Sequence, residues 1–117
     1  GGGHHGGGIF INTYDQARFG LLFLRKGKWK NRQLVSEKWV NAAHQSSPAE
    51  KKYGYMWWIN ATQSWKEVAP SVFYAVGFGG NYIIVDQEHD LLVVTRWMDD
   101  ARIGEVFSLF VQSVTGK

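Results

Sequence analysis

Cysteine is absent from the 117 residues, which excludes disulfides, thiolate nucleophiles and cysteine-ligated metals. Proline occurs only twice, and no apolar run approaches the ~20 residues that a membrane-spanning helix needs. No basic stretch followed by an apolar one opens the chain, so no signal peptide is legible. Charge of one sign is also scarce, because 13 Lys and Arg against 10 Asp and Glu leave a net charge of only +3. A nucleic-acid module gathers its cations on one face among stacking aromatics. Here only Arg25, Lys26, Lys28, Lys30 and Arg32 cluster. They read as a solvated, lysine-rich loop in preference to a phosphate site, and no nucleic-acid partner is expected.

What the chain has in quantity is apolar and aromatic surface. Hydrophobic residues make up 44%, including six Trp, seven Phe and five Tyr, while 20% of residues are charged. That balance lacks the signature of disorder and suits a single domain, 1–117, with a core of its own. Residues 1–8, GGGHHGGG, read as a flexible start. The adjacent His4 and His5 rarely converge on a metal without further ligands, so neither a metal nor any other cofactor is expected. The chain opens on Gly1, not Met, which reads as a fragment or a processed product.

Local patterns predict an α+β layout: two helices, three antiparallel strands and a final helix. Thr13 and Gln16 have capping-box spacing and predict a helix to about Arg25, with Tyr14, Ala17, Leu21 and Leu24 on one face. Gly27 supplies its stop. After a turn at 30–33, Ser36 caps a second, short helix to about Gln45. The aromatic, β-branched run 53–59 predicts a strand, and 60–70 a polar loop. Residues 72–85 read as one long strand broken by Gly77, Gly79 and Gly80, which implies a bulge or a close backbone approach. A hairpin loop at 86–90 leads to a returning strand, 91–97. Asp99 or Asp100 then caps a helix whose Ile103, Val106, Phe107, Phe110, Val111 and Val114 form one apolar stripe, to be laid across one sheet face.

Four blocks in order resemble a known family. GGGIFINTYDQARFG (6–20) is similar to the "GGG…T…D.ARFG" stretch of class C β-lactamase-like hydrolases, esterases and DD-peptidases. LVSEKWV (34–40) resembles that family's "LLSEEWV", YGYMWW (53–58) its "YGYLWW", and GFGGNYIIVD (77–86) its glycine-rich strand and the turn after it. The resemblance implies a partial β-lactamase/transpeptidase-like fold and ester or amide acyl transfer, in proteins often exported to the periplasm. It also implies that the third catalytic motif, Lys-Thr-Gly or His-Thr-Gly on the strand edging the active site, falls on Ala75-Val76-Gly77. The N–H of Phe78 would then form half of an oxyanion hole, and the small residues through Gly79 and Gly80 would let substrate lie alongside as an extra strand.

Two departures limit that reading. Ala75 replaces the motif's cation, which weakens the case for binding a substrate carboxylate. No Ser has Lys three residues on: Ser36 and Ser64 have theirs at two, off a shared helical face. The family's Tyr motif is missing as well. The nucleophile and its base are therefore expected on an absent N-terminal part, leaving this chain inactive alone. The partners that follow are that missing part or a second copy, with a small ester or amide as the parent's substrate.

Rival readings use the same residues. A binding or self-assembly module that reuses the fold remnant would also expose aromatic surface. Trp57, Trp58, Trp65 and Trp97 could line a carbohydrate or peptide cleft, though core or interface is the simpler role. Ser71, His89 and Asp86 make a triad on paper, but no nucleophile elbow surrounds any Ser, and a solvent-exposed turn accounts for His89.

Overall fold

A computed structural model describes residues 9–117; the expectations for residues 1–8, His4 and His5 included, fall outside the described residues. Helix α1, Thr13–Leu24, is capped by Asn12 and not by Thr13. Asn12 has the extended backbone of a cap, and its side-chain oxygen accepts from the Asp15 N–H at 2.8 Å. The expected inward face is also rotated. Tyr14 is 77% exposed, and Gly20, Phe23 and Leu24 point inward. Gly20 decides this, because a Cβ there would stand 2.5 Å from Leu92 Cδ1 and 2.7 Å from Ile83 Cγ2. The helix lies on the sheet along its bare backbone.

The turn expected at 30–33 is a small hairpin of β1, Lys28–Trp29, and β2, Arg32–Gln33. Helix α2, Glu37–Ala43, starts where Ser36 was expected to cap it, with Ser36 Oγ accepting from Trp39 N–H at 3.1 Å. It buries Val40 and Ala43.

The main sheet has four antiparallel strands in the order β3-β4-β5-β6, not three. The difference lies at 72–85. β4, Phe73–Gly77, and β5, Asn81–Asp86, are separate strands paired with each other. Gly79 and Gly80 take φ of +81° and +72°, which reverses the chain, and a Cβ on Gly80 would lie 1.8 Å from the Met98 carbonyl oxygen. Gly79 and Gly80 are thus a hairpin turn and not a bulge, and the close backbone approach also expected there is the one between Gly80 and Met98. The strand expected at 53–59 shrinks to β3, Trp58–Ile59, with one isolated bridge between Tyr53 and Trp58. Met56 at φ +67° and the Gly54 N–H bond to the Trp57 carbonyl fold that segment back on itself. β6, Leu91–Thr95, returns from the expected hairpin loop.

Strand alternation sorts the core into two layers. On the front face, Phe73, Ala75, Ile83, Val85 and Leu92 meet Phe23, Leu24, Val40, Ala43 and Trp57. On the back face, Tyr74, Tyr82, Ile84, Leu91 and Val93 meet Val68, Val72, Ile103 and Phe107. Helix α3, Ile103–Thr115, covers this back face, as its stripe predicts, but only by its first half. Phe107 is fully buried, whereas Phe110 and Val114 are 43% and 54% exposed. Neither Asp99 nor Asp100 caps α3. Asp99 accepts from Ala101 N–H, and Asp100 accepts from the Tyr82 hydroxyl at 2.7 Å.

The polar loop after β3 is pinned by a residue that sequence patterning passes over. Asn60 is buried, and its amide nitrogen donates to the carbonyls of Trp65, Val68 and Ala69 at 3.1, 2.9 and 3.3 Å. Its oxygen accepts from Trp65 N–H at 3.0 Å.

Candidate active-site edge

β3 pairs with β4 only at Phe73 and Tyr74, so among the described residues Ala75, Val76 and Gly77 have a strand neighbour on the β5 side alone. The Asn60 N–H bond to the Val72 carbonyl fixes which residues face β3. Because outward-facing backbone groups alternate along a strand, Tyr74 and then Val76 aim theirs the same way. At Tyr74 they meet Trp58. At Val76 the partner strand has already turned away at Met56. An N–H and a C=O are therefore presented at an open sheet edge, a ready template for an extended ligand.

Beside this edge lies a cleft of about 1340 Å³, walled by Ala75, Val76, Gly77 and Phe78 on one side and by residues 9–13 on the other. Ala75 faces the front layer, Val76 is 38% exposed and Phe78 is 96% exposed. Gly79 and Gly80 do not line the cleft. They build its turn, Gly79 lying under the Trp97 ring and Gly80 against Met98.

Two cleft residues that sequence reasoning missed are Asn81 and Arg96. Asn81 donates to the Phe78 carbonyl at 2.6 Å and accepts from Arg96 Nε at 3.0 Å. Arg96 Nη1 also donates to the Ile11 carbonyl at 3.2 Å. Turn, strand end and opening segment are thereby tied together around one guanidinium. A period of two from Leu92 through Val94 puts Arg96 on the front face, a signal available once the strand register is known.

The cleft holds hydrogen-bond donors and acceptors, and among the described residues no Ser, Lys, His, Tyr or carboxylate lines it. Among the described residues it contains neither an activated nucleophile nor a general base. The paper triad does not assemble elsewhere. His89 Nδ1 and Asp86 Oδ2 are 2.7 Å apart, but the Ser71 hydroxyl bonds Glu88 and not His89. Asp86, fully buried, serves the hairpin by accepting from the N–H groups of Glu88 and His89. Among the described residues no group of three His, Cys, Asp or Glu could hold a metal ion.

The tryptophans do not converge on a cleft either. Trp57 is buried in the front core, Trp65 stacks on Tyr74 at 4.3 Å behind the sheet, and Trp97 is 71% exposed. Two of the clustered cations have acidic partners, Arg25 with Asp90 and Lys26 with Glu37. No helix among the described residues is long and apolar enough to cross a membrane.

No family model matches the sequence. No curated protein matches it either. Among solved structures, the chain is similar to a proposed 6-aminohexanoate-dimer hydrolase from Bacillus anthracis, with a TM-score of 0.63 at 18% identity. The similarity covers 89% of this chain and 29% of that one. The fold is part of a β-lactamase-like one. The chain thus spans less than a third of that hydrolase's length, and at this identity the likeness speaks for fold alone.

Proposed function

We propose that this chain is the C-terminal lobe of a β-lactamase-like serine hydrolase that acts on an ester or amide. In this reading it supplies the substrate-pairing edge, and the nucleophile lies elsewhere in the same protein. The observation that carries the reading is the outer backbone edge of Val76, without a strand partner among the described residues, beside a cleft whose described lining has donors but no base. An acyl substrate laid antiparallel along β4 would bond the Val76 N–H and C=O, as a further strand would. Its carbonyl oxygen would then reach the Phe78 N–H, one member of an oxyanion hole. Removing one such donor costs about 10²–10³ in kcat in hydrolases where it has been tested. Asn81, by donating to the Phe78 carbonyl, fixes the Phe78–Gly79 peptide, the unit that follows the one carrying the Phe78 N–H.

Ala75, where the resembling family carries Lys or His, leaves β4 itself without a cation at this edge. That favours an ester or amide over a penicillin as substrate, and an amide is in keeping with the name of the structural neighbour. The 117-residue chain alone is expected to leave p-nitrophenyl esters and nitrocefin intact, whereas the longer protein containing it turns over the ester. Val76→Pro in that longer protein should remove most of the turnover. Enzyme-like rates from the isolated chain would overturn the proposal. A longer protein inert to esters and amides, together with a cooperatively melting oligomer of this chain, would favour the assembly-module reading instead.

A further inference from the structure

A second concavity lies away from β4, where the end of α1 meets the β1–β2 hairpin, and it shares no lining residue with the cleft. Its volume is about 630 Å³, a size that suits a small molecule. Leu21, the buried Leu24 and the half-buried Trp29 give it an apolar wall. Among the described residues, four cations and one carboxylate, that of Glu37, stand around this wall. Lys26 pairs with Glu37 at 3.4 Å and Arg25 with Asp90, so those two charges are met from within the chain. Lys28 and Lys30 meet no carboxylate among the described residues. The hairpin is fastened in place. The N–H groups of Leu34 and Val35 donate to the Gly27 carbonyl, and Gln33 Nε2 donates to the carbonyls of Lys26 and Val35 at 2.8 and 2.6 Å. Lys26 and Lys30 take φ of +53° and +51°, a conformation that Gly or Asn adopts at less cost. Two long cations are thus kept at turn positions where a merely solvated loop is built more cheaply from other residues.

We infer that this pocket is a binding site for a small amphiphilic anion, an aromatic or aliphatic body carrying one sulfonate, carboxylate or phosphate group. The body lies on Leu21, Leu24 and the Trp29 ring, and the anionic group reaches the ammonium groups of Lys28 and Lys30. The two kinds of contact need each other. An exposed ammonium alone holds an anion weakly, because water and salt compete for it. An apolar wall alone attracts any apolar body and does not select charge. Side by side, they favour a ligand that has both features. A lysine-rich strip with a tryptophan also suits an anionic lipid surface. The geometry favours the small molecule, because Trp29 is half-buried in a concave wall and does not project as an interfacial anchor does. Nothing in this assignment depends on the hydrolase reading, since pocket and cleft border opposite ends of α1.

The test titrates naphthalenesulfonate and its neutral sulfonamide into the 117-residue chain at low salt, followed by amide and indole chemical shifts. The sulfonate is expected to saturate and to bind about tenfold more tightly than the sulfonamide, two exposed ammonium groups each contributing a few-fold. Shifts should centre on Lys26, Trp29 and Gln33, and added salt should erode the preference. Lys28→Gln combined with Lys30→Gln should abolish the preference while leaving the melting midpoint near that of the parent chain. Trp29→Leu should weaken both ligands alike. Equal affinities, no saturable binding of the sulfonate, shifts centred on Gly77 and Phe78, or a preference that survives the double lysine change would overturn the inference. So would phosphatidylglycerol vesicles that bind the chain through these lysines while the sulfonate does not, an outcome that makes the strip a membrane-facing surface.

Discussion

On the back of the main sheet, α3 lays Ile103 and Phe107 against Tyr82, Ile84 and Val93, while Asn60 ties the preceding loop down through four hydrogen bonds. On the front, α1 and α2 cover the sheet from Phe73 to Leu92 but leave Ala75, Val76 and Gly77 bordering an open cleft. The same strand, β4, belongs to both conditions: Phe73 and Tyr74 are paired on two sides, and the next three residues on one. The contrast teaches that a two-sided ladder and an open edge beside a cleft are separated within a single five-residue strand. The back face fixes where β4 lies; the front exposes its backbone.

The largest effect that would sharpen this contrast is expected from Phe107→Ala. Phe107 is fully buried, and truncating such a residue costs about 3–5 kcal/mol. Urea denaturation should report this loss, and a value near zero would show that the back layer is not packed as described. Asn60→Ala should follow at about 2–3 kcal/mol, since it strands buried carbonyls and the Trp65 N–H without partners. Gly80→Ala should lose about 1–3 kcal/mol through its left-handed backbone and the nearby Met98 carbonyl. It should also disturb amide shifts at Phe78 and Asn81.

A proline pair probes β4 directly. Tyr74→Pro removes a ladder N–H between two strands and should prevent cooperative folding, whereas Val76→Pro acts on the open edge and should cost about 1 kcal/mol or less. Similar losses for both would show that the edge at Val76 is covered.

The smallest effect is a pH dependence confined to the front layer. His44 stacks on Phe73 at 4.2 Å, and its Nε2 has no hydrogen-bond partner among the described residues. Burial pushes its pKa below the ordinary value of 6.5. The unfolded chain therefore binds the proton more readily than the folded one. Stability should be complete above about pH 6.5, fall as the pH drops through that value, and level off below the depressed folded pKa. A thermal melt series from pH 8 to 5 measures this, and His44→Phe should flatten that part of the profile.

Much of the layout is legible in residue order because the forces that set it are local. Ser36 caps α2 through a bond to a residue three positions on, and the 86–90 loop closes a hairpin whose strands are its immediate neighbours. The stripe on α3 correctly marks Ile103 and Phe107 as core. The glycines of 77–80 are equally visible, but a turn and a bulge use the same residue types. Pairing of 73–77 with 81–86 decides between them, and that is a contact between segments. The inward face of α1 escapes periodicity for a related reason: Gly20, which carries no apolar side chain, is its point of closest approach.

For the candidate site, the block resemblance leads to Ala75-Val76-Gly77-Phe78, which line the cleft, and to Gly79 and Gly80, which form the turn beside it. Asn81 and Arg96 are fifteen residues apart and look ordinary in a list of polar positions. Only the register of β5 against β6 brings them to one cleft.

By itself, the order of residues determined the Ser36 cap of α2, the buried first half of the α3 stripe, the β5–β6 hairpin, and the absence of a Ser-x-x-Lys pair within these 117 residues, since each depends on neighbours a few positions apart. The tertiary structure alone decided that β4 parts from β3 after Tyr74, that Gly79 and Gly80 reverse the chain, and that Arg96 comes to line the cleft beside Asn81. Those outcomes depend on which distant backbones pair and in what register, and no local preference encodes them.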